Sequence, residues 1–150
     1  MPRVKLEEQP EYAFSHTVTV RVTDLNYGAH LANSALVELL HEARARLFHQ
    51  LGCSEVDLGD GHTGIIMADL AINFKAEGFL FEALCIDSHI AELSRKSFRI
   101  FQRVRKEEGL VALAETGIVT FDYRVRSPAA VPETFVLALQ SYLKREEIER

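Results

Sequence analysis

Ten consecutive residues, Asp24-Leu25-Asn26-Tyr27-Gly28-Ala29-His30-Leu31-Ala32-Asn33, include four side chains that can hydrogen-bond or move a proton: Asp24, Asn26, His30 and Asn33. They fall between the end of a predicted strand and the start of a predicted helix. A helix N-terminus presents unpaired backbone N–H groups and the positive end of its dipole, which suits an oxyanion or a polarised carbonyl. Gly28, just ahead of that helix, lets a ligand approach the main chain closely. The same residues also make an ordinary capped turn: Asp and Asn favour turns, Asn33 can cap the helix, and His30 can satisfy a backbone carbonyl. Both readings stand on the residues alone.

The elements that must hold this stretch are legible from apolar spacing. Residues 14–23 alternate, with Phe14, His16, Val18, Val20 and Val22 on one face, and predict a half-buried strand. Asn33 or Ser34 can cap a helix running to about Leu51, with Gly52 as its stop. Leu36, Leu39, Leu40, Ala43, Leu47, Phe48 and Leu51 recur at spacings of three and four and give that helix a wide apolar face. Glu42 and Arg46, on its polar side, are spaced for a supporting ion pair.

A glycine-rich loop over 53–63 follows, and then the two-residue period takes over. Strands are predicted near 66–75, 83–93, 97–106 and 110–123, the last central by its mixed alternation, with Glu107-Glu108-Gly109 as a hairpin turn. A short C-terminal helix near 133–146 is expected after Pro132. The order is one strand, one long helix, then four strands. An antiparallel sheet of about five strands must bury its apolar face, and the long helix is the element available to cover it. The fold class is therefore α+β, a sheet wrapped around one long helix in the hot-dog arrangement. The free edges and polar faces of such a unit predict a homodimer or homotetramer.

Composition narrows the function. The chain has 150 residues, 47% apolar and 26% charged, the balance of one soluble domain spanning 1–150. A net charge of -5 argues against a nucleic-acid partner. No apolar run approaches the ~20 residues of a membrane span. The N-terminal residues show no secretory signal, and Cys53 and Cys85 read as reduced thiols, so the expected location is cytoplasmic.

The run Asp24 to Asn33, followed by Glu42-Ala43-Arg44 on the helix, resembles the 4-hydroxybenzoyl-CoA thioesterase-like family. It is also similar to the Asp-x-Asp-x-x-x-His-x-x-Asn loop of plant acyl-ACP thioesterases. The resemblance implies a hot-dog fold and hydrolysis of an acyl thioester carried by coenzyme A or acyl carrier protein. It further implies no metal, no cofactor, and active sites at subunit interfaces. One position departs from the pattern. Where many of these enzymes have a catalytic Asp, this chain has Asn26, and an amide cannot accept a proton from water or attack as a carboxylate does. The base then falls to Asp24, on the same side of an extended strand end, or to His30, whose imidazole type titrates near neutrality. Asp24 can equally serve to hold the loop through backbone N–H groups. Asn26, Asn33 and the helix N-terminus are left to orient the thioester carbonyl.

Coenzyme A carries phosphates, which need cations. The densest basic stretch holds Arg95, Lys96 and Arg99, with Arg103, Arg124 and Arg126 beyond it, and is the expected contact for the nucleotide end. Two other classes stay open: a non-catalytic acyl-thioester binding protein, which Asn26 favours, and a dehydratase or hydratase acting on 3-hydroxyacyl thioesters. Aliphatic and aromatic acyl groups fit the apolar positions equally.

Overall fold

The alternation of the first strand carries through Val20 and then stops. In the computed structural model, which describes residues 3–149, β1 spans Phe14–Thr19, and Phe14, Val18 and Val20 are buried. A single 3-10 turn, Val22–Asp24, follows, so Val22 leaves the expected apolar face and is 65% exposed. The helix α1 covers Asn33–Gln50, and every apolar position expected on its buried face is buried. Its cap differs from expectation. Asn33 is already helical, and the carbonyl of Ala32 accepts the first helical bond, from the Leu36 N–H at 3.0 Å.

β2 (Thr63–Phe74), β3 (Ala83–Ala91), β4 (Ser97–Lys106) and β5 (Gly109–Asp122) follow. A two-residue β6 (Ser127–Pro128) and α2 (Glu133–Glu149) complete the chain, α2 being longer than its sequence suggested. The sheet is antiparallel with the order β1-β3-β4-β5-β2, and β6 pairs with β5. β1 runs against β3 from Phe14 opposite Ser88 to Thr19 opposite Ala83. β5 lies inside the sheet as its mixed alternation predicts, while β2 is an edge and exposes Ile66, Met67 and Phe74. The turn between β4 and β5 ends at Gly109, whose φ of 143° suits a residue without a Cβ.

Contacts divide the chain into two compact units. The first comprises the residues through Arg44 together with Ala71–His89 and Phe101–Glu115. Its core sets Leu36, Leu39, Leu40 and Ala43 of α1 against Val20, Leu84, Ile86 and Val104 of the strand segments. Full burial of each such Leu, Ile or Val contributes roughly 1.5–3 kcal/mol. The second comprises Ala45–Leu70, Ile90–Ile100 and the residues from Thr116. Phe48, Phe98 and Phe135 meet there with ring centroids 5.2–6.5 Å apart. Among the described residues no helix is long and apolar enough to cross a membrane.

Strand alternation in the first unit also builds a polar cluster on the sheet face opposite the core. Leu84, Ile86 and Val104 point into the core, so Cys85, Asp87, Arg103 and Arg105 point the other way. Asp87, 3% exposed, accepts hydrogen bonds from Arg103 Nε (2.8 Å), Arg105 Nε (2.7 Å) and Ser15 Oγ. Glu8 and the ring of Tyr12 meet Arg103 from the N-terminal segment. Burial by itself raises the Asp87 pKa, but bonds from Arg105, Ser15 and Arg103 outweigh it and lower the pKa to about 2.

A carboxyl whose folded pKa is depressed stabilises the fold above its unfolded pKa, and that stabilisation is lost as pH falls through the folded value. For Asp87 the window runs from ~4 down to ~2, and the contribution at neutral pH is on the order of 2–3 kcal/mol. Asp87→Asn should therefore lower stability by about that amount at pH 7, and the gap should close as pH falls through that window. Urea unfolding at a series of pH values measures it; a pH-independent difference would remove the ionic account.

Candidate functional site

Asp24 organises the loop between β1 and α1. Its carboxylate, 2% exposed, accepts from the Arg21 main-chain N–H (2.8 Å), Nε (3.2 Å) and Nη2 (3.0 Å). The Arg21 hydrogen bond holds the acid below the usual carboxylate range, overriding the opposing effect of burial. The Asp24 carbonyl accepts the Ala32 N–H at 2.9 Å, tying the strand end to the helix start. Between them Leu25 and Leu31 form an antiparallel bridge, and the Asn26 N–H reaches the His30 carbonyl at 2.9 Å. The loop turns through Ala29 at φ 62°.

Asn26 is fixed by its own loop. Its Oδ1 accepts the N–H groups of Gly28 (2.9 Å) and His30 (3.4 Å), which leaves the Nδ2 amino group facing His30 Nδ1 at 3.4 Å. Nδ1 stands 3.4 Å from both this donor and the Leu31 carbonyl, so it accepts from Asn26 when the neutral ring carries its proton on Nε2 and donates to Leu31 when the proton is on Nδ1. His30 Nε2 points toward Glu77 Oε1 at 3.9 Å. A Cβ at residue 28 would lie 3.2 Å from both Asn26 Oδ1 and His30 Nε2, so glycine keeps this corner open.

His30 and Asn33 line a cavity of about 250 Å³ within the first unit. Leu31, Leu36, Phe74 and Val111 give it apolar walls, and Lys75, Glu77 and Gly78 close another side. The N–H groups of Asn33, Ser34 and Ala35 open α1 and have no carbonyl four residues back within the helix. Of these three residues Asn33 lines the cavity, and an apolar chamber bordered by a helix start can take an acyl group and offer a donor to its carbonyl oxygen. The wall formed by residues 75–78 is held by Leu31 N–H to the Gly78 carbonyl (2.7 Å) and by Lys106 Nζ to the Glu77 carbonyl (2.7 Å).

Of the four expected residues, His30 and Asn33 border the cavity. Asp24 and Asn26 are not among its lining residues; Asp24 anchors the loop and Asn26 orients His30. Lys75 and Glu77 were missed. The available signal was a Lys-Ala-Glu-Gly run placed directly after an apolar strand. Glu42, expected beside Arg46, lies 3.3 Å from His16 Nε2.

The basic stretch expected at a nucleotide lies in the second unit and does not line this cavity. Arg99 is bonded to Asp69 (2.6 Å), and Arg124 to Asp122 (3.2 Å). In the first unit Arg103 is held by Asp87 and Glu8. Arg95 and Lys96 are exposed, and among the described residues their side chains have no ion pair.

The family model described as the thioesterase-like superfamily matches residues 20–139. No curated protein matches the sequence. Several solved structures resemble the chain. One is a 1,4-dihydroxy-2-naphthoyl-CoA thioesterase from Synechocystis, at 19% identity, covering 84% of this chain and 94% of that one, with TM-score 0.76. A second is a Staphylococcus aureus protein in complex with CoA, at 20% identity, covering 87% and 84%, with TM-score 0.79. A third is a probable thioesterase from Escherichia coli, at 24% identity, covering 84% and 96%, with TM-score 0.70. At these identities the likeness establishes the hot-dog fold.

The position of the His30 proton is open to direct measurement. In the wild-type protein at high pH, nitrogen NMR should show the Nε2–H tautomer. Asn26→Asp replaces the donor with an acceptor and should shift the neutral ring to Nδ1–H. An unchanged tautomer would show that Asn26 does not orient His30.

Proposed function

Because the chain belongs to the thioesterase-like superfamily, we propose that it hydrolyses acyl thioesters of coenzyme A to the free acid and the thiol. The observation that carries this reading is the cavity that joins apolar walls to the N-terminus of α1 and the His30 ring. The acyl group lies against Leu36, Phe74 and Val111, and the thioester oxygen meets the opening N–H groups of α1 together with His30 Nε2–H. Such donors do not move as charge develops, and each is worth about 10²–10³-fold in rate. Asp24 holds the strand end to the helix so that these donors share one geometry.

Coenzyme A is favoured as carrier over acyl carrier protein because a similar S. aureus protein was solved with CoA, and because Arg95 and Lys96 offer unpaired cations for phosphate. We place the enzyme in the cytoplasm, where Cys53 and Cys85, both free, remain reduced. Two copies pair along the β2 edge, whose exposed Ile66, Met67 and Phe74 are costly to leave in water. Asn26 favours one competing reading, a non-catalytic acyl-thioester binder.

Thiol release separates the two. The protein should turn over acyl-CoA in a screen spanning aliphatic and aromatic acyl groups, with carrier-protein thioesters in parallel. Absence of thiol from every substrate, with binding retained, leaves the binder. Replacing Arg95 and Lys96 together by Ala should raise KM for acyl-CoA by about tenfold or more, since each phosphate contact contributes on the order of 1.5–3 kcal/mol. A truncated pantetheine thioester should be little affected; equal effects on both substrates would rule out contact with the nucleotide.

A further inference from the structure

We infer that Glu77 is the general base of this site, supplying from the segment after β2 the carboxylate that the loop lacks at Asn26. The inference rests on the thioesterase reading and names the group that activates water in it.

Elimination narrows the choice. Asn26 has no basic form, and its Oδ1 is already occupied by two main-chain N–H groups. Asp24 is 2% exposed, bonded three times by Arg21, and not among the residues lining the cavity. His30 Nε2 faces the Glu77 carboxylate at 3.9 Å, and a neighbouring negative charge favours a proton on that nitrogen, which makes it a donor on the side of the cavity. Asp87 faces away from the core and is bound by Arg103 and Arg105. Glu77 is the remaining carboxylate in the wall of the cavity.

Its placement fits the task. The carbonyl of Glu77 is held by Lys106 Nζ and that of Gly78 by the Leu31 N–H, each at 2.7 Å, so the main chain on this side is fixed. The Glu77 side chain itself is 61% exposed and reaches solvent. Its Oε1 stands 3.9 Å from His30 Nε2, too far for a hydrogen bond, so His30 N–H is available to the thioester oxygen and the carboxylate to water. An exposed pair of this kind contributes little to stability.

The step balances without another reactant. Water oxygen bonds to the thioester carbon while Glu77 takes one water proton. Negative charge forms on the carbonyl oxygen facing His30 Nε2–H and the α1 amides. The C–S bond then breaks, the carbonyl reforms, and Glu77 returns its proton to the departing thiolate, giving acid and thiol. The charged groups around Glu77 are His30 from the loop, Lys75 from its own segment, and Lys106 from β4, which also reaches Glu82 at 3.3 Å.

Glu77→Gln should lower kcat for acyl-CoA by about 10²–10⁴-fold with little change in KM, and abolish the acid limb of the kcat–pH profile. Glu77→Asp should recover part of the rate and restore the limb. Glu108→Gln, an exposed carboxylate on the β4–β5 turn, should leave kcat unchanged. Circular dichroism and urea unfolding of Glu77→Gln should match wild type. If the wild type turns over acyl-CoA and Glu77→Gln keeps a similar rate and the same acid limb, Glu77 is overturned and the thioesterase reading survives. If the wild type releases no thiol from any thioester, both fall together.

Discussion

The loop that leads into α1 depends on one buried carboxylate. Asp24 accepts three donors from Arg21 with its side chain and the Ala32 N–H with its carbonyl, so a single residue joins the 3-10 turn after β1 to the residue that enters α1. A buried carboxylate left unpaired is expensive, and a fully bonded one resists rearrangement. The donors at the start of α1 can act as a preorganised anion site because the chain entering that helix cannot drift. The 3-10 turn that puts Asp24 in reach of the Arg21 main chain also expels Val22 from the apolar face.

An amide at the position where related loops have an acid changes the electrical logic of the neighbouring imidazole. A carboxylate beside His30 Nδ1 stabilises a proton there and leaves Nε2 as an acceptor. The Asn26 amino group favours an acceptor at Nδ1, and with it a donor at Nε2. Glu77, in the wall of the cavity, stands 3.9 Å from Nε2 of that ring.

Charged groups elsewhere serve the fold. Asp87 gathers Arg103, Arg105 and Ser15 on the sheet face opposite the core, and Asp69 binds Arg99 in the second unit. Arg99 and Arg103, two of the residues that read as a phosphate surface in the sequence, are held in these pairs. Strand alternation explains why: residues that cannot enter the core must face outward, and a nearby carboxylate binds a guanidinium at close range.

The sequence by itself determined the order of elements, the extent and buried face of α1, and the spacing that puts polar side chains at its start. These follow from short-range rules: apolar period, turn chemistry, and the need of one sheet face for a cover. It did not determine which polar groups meet. Ala32 rather than Asn33 opens the helix, Arg99 is taken by Asp69, and Glu77 stands beside His30. Each of these was decided by tertiary structure. The last two join residues far apart in the chain, Glu77 and His30 through the Leu31 to Gly78 bond and Arg99 and Asp69 through the sheet order β4-β5-β2, and no local period encodes either meeting. A side chain's chemical role is set by the donors and acceptors within about 4 Å of it, and those neighbours exist only once the sheet has closed over the helix.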